Sequence, residues 1–190
     1  MRKHVAMLSV LVALVAVLGL VGLAGAQDQK PNPVVVIKTN LGVIKIELFA
    51  DKMPETTKNF LSYVDDKYYE GLTFHRAMPG AMIQGGKYPP SMVPKPAHDE
   101  VKAEISPDLQ TTRGSVYMIV KGTKDAPTIQ NQFVITLRDG RAPAGPFGKV
   151  IEGIEVVDKI SNVKTGEKGG HDMVPVEPVI MESVTRAETK

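Results

Sequence analysis

The sequence contains no cysteine. That excludes a disulfide framework and thiol chemistry, so stability must come from the core alone. A lipid-anchored form, which would need a cysteine near residue 26, is unsupported for the same reason. Charge of one sign is also lacking. The chain has 23 basic and 21 acidic residues, and with Arg2 and Lys3 set aside both counts are 21, which leaves no electrostatic footprint for nucleic-acid binding. The four histidines, His4, His75, His98 and His171, are too scattered to suggest a zinc site. No internal repeat or second domain is visible. The hydrophobic fraction of 43% and charged fraction of 23% are those of a globular chain, which excludes disorder for its bulk.

What is present begins with a long apolar run. Arg2 and Lys3 form a basic start, Val5 to Leu23 is apolar apart from Ser9, and Ala24-Gly25-Ala26 supplies small residues before polar Gln27-Asp28-Gln29-Lys30. Residues 1–26 therefore read as an export signal cleaved after Ala26. An uncleaved membrane anchor is the rival reading, because the run approaches the roughly 20 residues that span a bilayer. Residues 27–33, with two prolines, read as a flexible linker, and residues 187–190 as a C-terminal tail. The expected location is the periplasm or cell envelope, or the medium where no outer membrane exists.

The remainder has room for one domain. Val34 to Thr39 and Val43 to Phe49 read as strands joined by Asn40-Leu41-Gly42, with Ile44, Ile46 and Leu48 alternating against Lys45 and Glu47. Pro54 to Val64 reads as a helix, with proline at its first position and Phe60, Leu61 and Val64 on one face. Further strands are expected at 72–78, 81–84, 114–120, 132–137, 147–150 and 179–185, and a second helix at 153–161. Residues 87–100 carry four prolines and read as an irregular loop, as do 122–131. Many short strands with two short helices predict a mainly β fold: a closed eight-stranded antiparallel barrel capped by two helices.

The stretch Phe74 to Gly86 says most about function. It sets Arg76 and Gln84 in one strand, turn, strand unit around Pro79-Gly80. A permanent cation with forked donors beside an amide suits an uncharged amide substrate. Taken alone, Arg76 could equally be a surface arginine paired with a carboxylate, Gln84 a strand glutamine facing water, and His75 a core histidine bonded to backbone.

Several further runs occur in one order along the chain: Glu47-Leu48-Phe49, Pro54 with Thr57, Asn59-Phe60, Tyr69, Phe74-His75-Arg76, Met82-Ile83-Gln84-Gly85-Gly86, Arg113-Gly114, Gln132-Phe133, and Phe147-Gly148-Lys149-Val150 with Gly153. In these runs residues 34–186 resemble the cyclophilin family of peptidyl-prolyl isomerases, and the form with an export signal resembles bacterial periplasmic members. The resemblance implies a peptide groove on the outside of the barrel and cis/trans isomerisation of X-Pro bonds without metal or cofactor. It implies catalytic roles for Arg76, Gln84 and His75, and substrate contacts from Ala81, Met82, Ile119, Val120, Gln132, Val134 and Leu137. Proline-containing peptides are then the expected partners and a monomer the expected state, with membrane contact only if the signal stays attached.

The proline slot departs from the family's pattern. Ala81 stands where the family has an aromatic, and Val134 where it has a second phenylalanine after Gln132-Phe133. Each lost ring removes apolar contact on the order of 1 to 3 kcal/mol. No aromatic or histidine lies between Ile135 and Phe147, and Ile119 and Val120 replace a small residue and an asparagine. Weakened isomerisation is one expectation. A non-catalytic module that binds proline peptides on the same fold is a second, and a barrel holding a small apolar ligand inside is a third.

Overall fold

The computed structural model describes residues 31–188 apart from Pro107 and Pro143; the segment read as an export signal lies outside the described residues, as do residues 27–30 and 189–190. β1 (Val34–Thr39) and β2 (Gly42–Leu48) pair from Val34–Glu47 to Thr39–Gly42, leaving Asn40 and Leu41 as the turn. Ile44, Ile46 and Leu48 are fully buried while Lys45 and Glu47 between them keep partial exposure. That is the alternation of a strand with one wet face.

α1 (Pro54–Asp65) begins on proline, whose missing N–H costs nothing there, with Glu55 in the first turn. Its N-terminus is satisfied from a distance: the Thr56 N–H donates to the Glu104 carboxylate at 2.6 Å. On its inward face the Phe60 ring lies 5.3 Å from Tyr69, 5.4 Å from Phe133 and 5.1 Å from Phe147. Three separate segments thus converge on one ring and seat the helix against the core.

The chain continues through β3 (Phe74–Met78), β4 (Met82–Gly85), β5 (Val101–Lys102), β6 (Ser115–Met118), β7 (Lys121–Gly122), β8 (Pro127–Ile129), β9 (Phe133–Thr136) and β10 (Gly148–Glu152). α2 (Ile154–Ser161) follows Gly153, and β11 (Thr165–Lys168), β12 (His171–Pro175) and β13 (Met181–Arg186) complete it. Eight strands form one antiparallel sheet in the order β13-β1-β2-β10-β6-β9-β4-β3. The sheet is strongly curled, and its edge strands are joined by a single bridge, Thr73–Ile180, with backbone bonds Phe74 N–H to Val179 O at 2.9 Å and Met181 N–H to Leu72 O at 2.8 Å. The barrel is therefore open along its seam but for this point of contact, where a closed barrel was expected.

Its interior is filled by its own side chains. Phe74, Ile83, Val116, Met118, Phe133 and Ile135 meet Ile44 and Ile46, all at most 1% exposed, as the narrow bore of an eight-stranded barrel dictates. Val157 and Ile160 of α2 join the same core, fully buried. Residues 87–100 carry no regular element, as the prolines require. The expected loop at 122–131 instead contains β8, the centre of a small sheet β5-β8-β7, and the hairpin β11–β12 was not anticipated.

Candidate active site on the outer face of the barrel

Backbone register assembles the site. Phe74 opposes Gly85, yet the next opposed pair is Arg76 and Gln84, so His75 is the extra residue of a bulge. Without it Phe74 and Arg76, two residues apart, would share a face. With it Phe74 stays fully buried inside while Arg76, half-buried, stands with Gln84 on the outer face. The row continues across the sheet, Gln84 opposing Val134 and Val134 opposing Tyr117. A second outer row holds Met78, Met82 and Thr136.

The polar end of the first row is preorganised. Gln84 Nε2 donates to Gln132 Oε1 at 3.0 Å, which fixes both amides. Among the described residues the Arg76 guanidinium enters no ion pair or side-chain hydrogen bond, although four other cations of the fold hold carboxylates. His75, Arg76, Gln84 and Gln132 line one open polar cleft, whose far side is Lys87, Tyr88 and the β11–β12 turn at Gly170-His171-Asp172. His75 is 5% exposed, its ring 4.8 Å from Tyr88, which lies 5.0 Å from His171. Burial foremost, and then the neighbouring His171, pushes the His75 pKa down to about 4. The imidazole is thus neutral near pH 7 and leaves Arg76 as the charge beside the row.

The other expected site residues divide. Ala81 sits at the β3–β4 turn, and its carbonyl accepts from Leu137 N–H at 2.7 Å. Met82 lies in the second outer row. Val134 lies in the first but is only 1% exposed. Ile119 and Val120 follow the end of β6, half-buried; Ile119 N–H donates to Gln132 O at 2.9 Å, and Val120 packs against the core. Leu137, expected in the groove, is instead a core residue, 6% exposed. Thr136 faces outward, so strand alternation turns its successor in.

Sequence reasoning missed Tyr117. Val116 and Met118 flank it and point inward, and that alternation was a sufficient signal that Tyr117 points out; its place beside Val134 needs the register of β6 on β9. Burial raises the pKa of its phenol, and the Arg76 charge lowers it in part. Also missed were Tyr88 and His171, brought to the cleft by a loop and a hairpin that carry no local motif.

The arrangement offers a forked cation that is free among the described residues, a fixed amide and a mixed apolar row on the outer face, which is what an uncharged amide bond in an extended chain requires. Known proteins agree. The profile of cyclophilin type peptidyl-prolyl cis-trans isomerases matches residues 34–186. The chain is 44% identical over 161 residues to a peptidyl-prolyl cis-trans isomerase of Acinetobacter baylyi, covering 80% of this chain and 85% of that one. It is 40% identical over 166 residues to peptidyl-prolyl cis-trans isomerase B of Escherichia coli, covering 82% and 100%. A crystal structure of a Cryptosporidium parvum cyclophilin type peptidyl-prolyl cis-trans isomerase, determined in the presence of the dipeptide Ala-Pro, superposes with a TM-score of 0.69 at 30% identity, covering 82% and 99%. The chain belongs to the cyclophilin family of peptidyl-prolyl cis-trans isomerases.

Proposed function

We propose that this isomerase acts on X-Pro bonds in unfolded or exposed segments of exported proteins, with Arg76 and Gln84 as its polar centre. The observation that carries the site is the Arg76 guanidinium, without a partner among the described residues, held beside Gln84 on the outer face. Resonance gives an X-Pro C–N bond partial double-bond character and a rotation barrier of about 18–20 kcal/mol. When the bond twists, the prolyl nitrogen becomes pyramidal and regains a lone pair. A donor aimed at that lone pair binds the twisted state better than either planar isomer, and only such differential binding accelerates rotation. Arg76 supplies that donor. Gln84, fixed by Gln132, holds the peptide carbonyl so that one side of the bond stays still while the other turns. His75 is a buried neutral neighbour that supports the Arg76 end of the cleft; no proton transfer is needed.

The family relative determined with Ala-Pro supports a proline-containing peptide as substrate. The apolar run of residues 1–26 supports export. Proline-isomerisation rates of the chain and of Arg76→Ala test the site: loss of one preorganised donor lowers kcat by about 100- to 1000-fold. Equal rates for the two, both at background, would sink the catalytic assignment, and peptide binding without acceleration would establish a binding module. N-terminal sequencing of the protein recovered from the cell envelope tests export; recovery from the cytosol with Met1 retained refutes it.

A further inference from the structure

We infer that Tyr117 is the apolar wall against which the substrate's proline ring packs, taking the role that Ala81 and Val134 are too small to fill. This rests on the isomerase reading of the Arg76 row. Three observations lead to it. First, Val134 opposes Gln84 on one side and Tyr117 on the other, so the next outward side chain beyond it in that row is an aromatic one. Opposed residues have Cβ atoms about 5 Å apart, which puts the phenol ring beside the spot where the missing phenylalanine would have stood. Second, Val134 is 1% exposed although it points outward and is short. Its neighbours already cover it, so it offers a ligand no open surface, whereas Tyr117 is only half-buried.

Third, the ring and the catalytic cation are the two ends of one row. Arg76 and Tyr117 are three strands apart, about 14 Å at the usual strand spacing. Both side chains are long, and the Arg76 charge is felt at the Tyr117 phenol across Gln84 and Val134. The row then forms a trough with a guanidinium at one end, an aromatic face at the other, and an amide and a valine as its floor. A proline ring seated on the aromatic face presents its nitrogen toward the guanidinium. No hydrogen bond holds the Tyr117 hydroxyl among the described residues, and the role assigned here needs only the ring.

The test uses the full-length chain and an Ala-Pro tetrapeptide. Replacing the ring, Tyr117→Ala raises KM about tenfold with kcat little changed, whereas Tyr117→Phe keeps the KM of the parent. An unchanged KM in Tyr117→Ala overturns the proposal, and so does a tenfold higher KM in Tyr117→Phe. Direct contact is read in the unaltered protein by intermolecular NOEs from the Tyr117 ring to the proline ring protons. Their absence at saturating peptide overturns the proposal even if Tyr117→Ala fails to fold. A parent rate no higher than that of Arg76→Ala, with those NOEs present, would retire the isomerase reading and leave Tyr117 as the proline contact of a binding groove.

Discussion

Acid should weaken this fold through His75, and the size of the effect can be worked out. His75 is 5% exposed, its Nδ1 has no hydrogen-bond partner among the described residues, and His171, Lys87 and Arg76 stand around it. Burial foremost, and then these neighbours, hold its pKa at about 4, against 6.5 in an unfolded chain. A histidine with a depressed folded pKa takes up its proton more readily when unfolded. Stability is therefore complete above 6.5 and declines as pH falls through the window toward 4. Two and a half pKa units at 1.36 kcal/mol each give a full loss of about 3 kcal/mol, of which about 2 kcal/mol is spent by pH 5. Urea unfolding of the parent and of His75→Gln at about pH 7 and pH 5 isolates the contribution, since other titrating groups are common to both. The parent should lose about 2 kcal/mol more than the variant over that interval. Parallel losses, or a His75 imidazole that titrates by NMR near 6.5, would refute the reasoning.

Three other outcomes follow from the geometry. Gly86 has φ +96°, and a Cβ there would sit 2.4 Å from the Asn131 carbonyl oxygen and 3.1 Å from the Tyr69 ring; Gly86→Ala should cost at least about 2 kcal/mol in urea unfolding, and a neutral result would refute the close approach. Phe60→Ala removes the ring on which Tyr69, Phe133 and Phe147 converge and should cost about 3–5 kcal/mol by the same measurement, with a loss below 1 kcal/mol contradicting the packing. Gln84→Leu leaves the Gln132 amide without its partner and should lower kcat/KM for an Ala-Pro peptide about tenfold; an unchanged value would remove Gln84 from the polar centre.

Much of the architecture was legible because its signals are local. β1, β2 and α1 lie within a residue or two of their expected limits, since alternation at Ile44, Ile46 and Leu48 and the proline at 54 act over a single turn or strand. That Arg76 and Gln84 share one strand, turn, strand unit was legible as well, because Pro79-Gly80 marks the turn; their direct pairing was not, since it needs Ala81 in the turn and Met78 opposite Met82. What escaped depends on partners far along the chain. β8 and the β11–β12 hairpin are held by pairing that leaves little hydrophobic periodicity in their own residues, and His171 reaches the cleft only because that hairpin stands beside β3. Leu137 was misplaced because its parity is set by the outward Thr136, which needs the register of β9 on β4. Tyr117 was overlooked because a comparison by position notices a missing aromatic at 134 and does not look one strand over for a substitute.

The extra residue at His75 makes the site a matter of counting. Substitutions along the outer row, at Gln84 or Tyr117, change what the trough grips without touching how the barrel is built. Removing one residue from β3 would instead exchange inside for outside, sending Arg76 toward Phe133 and Ile135 or lifting Phe74 into water. Evolution can thus redraw the binding surface residue by residue, while the length of this one short strand must be inherited whole.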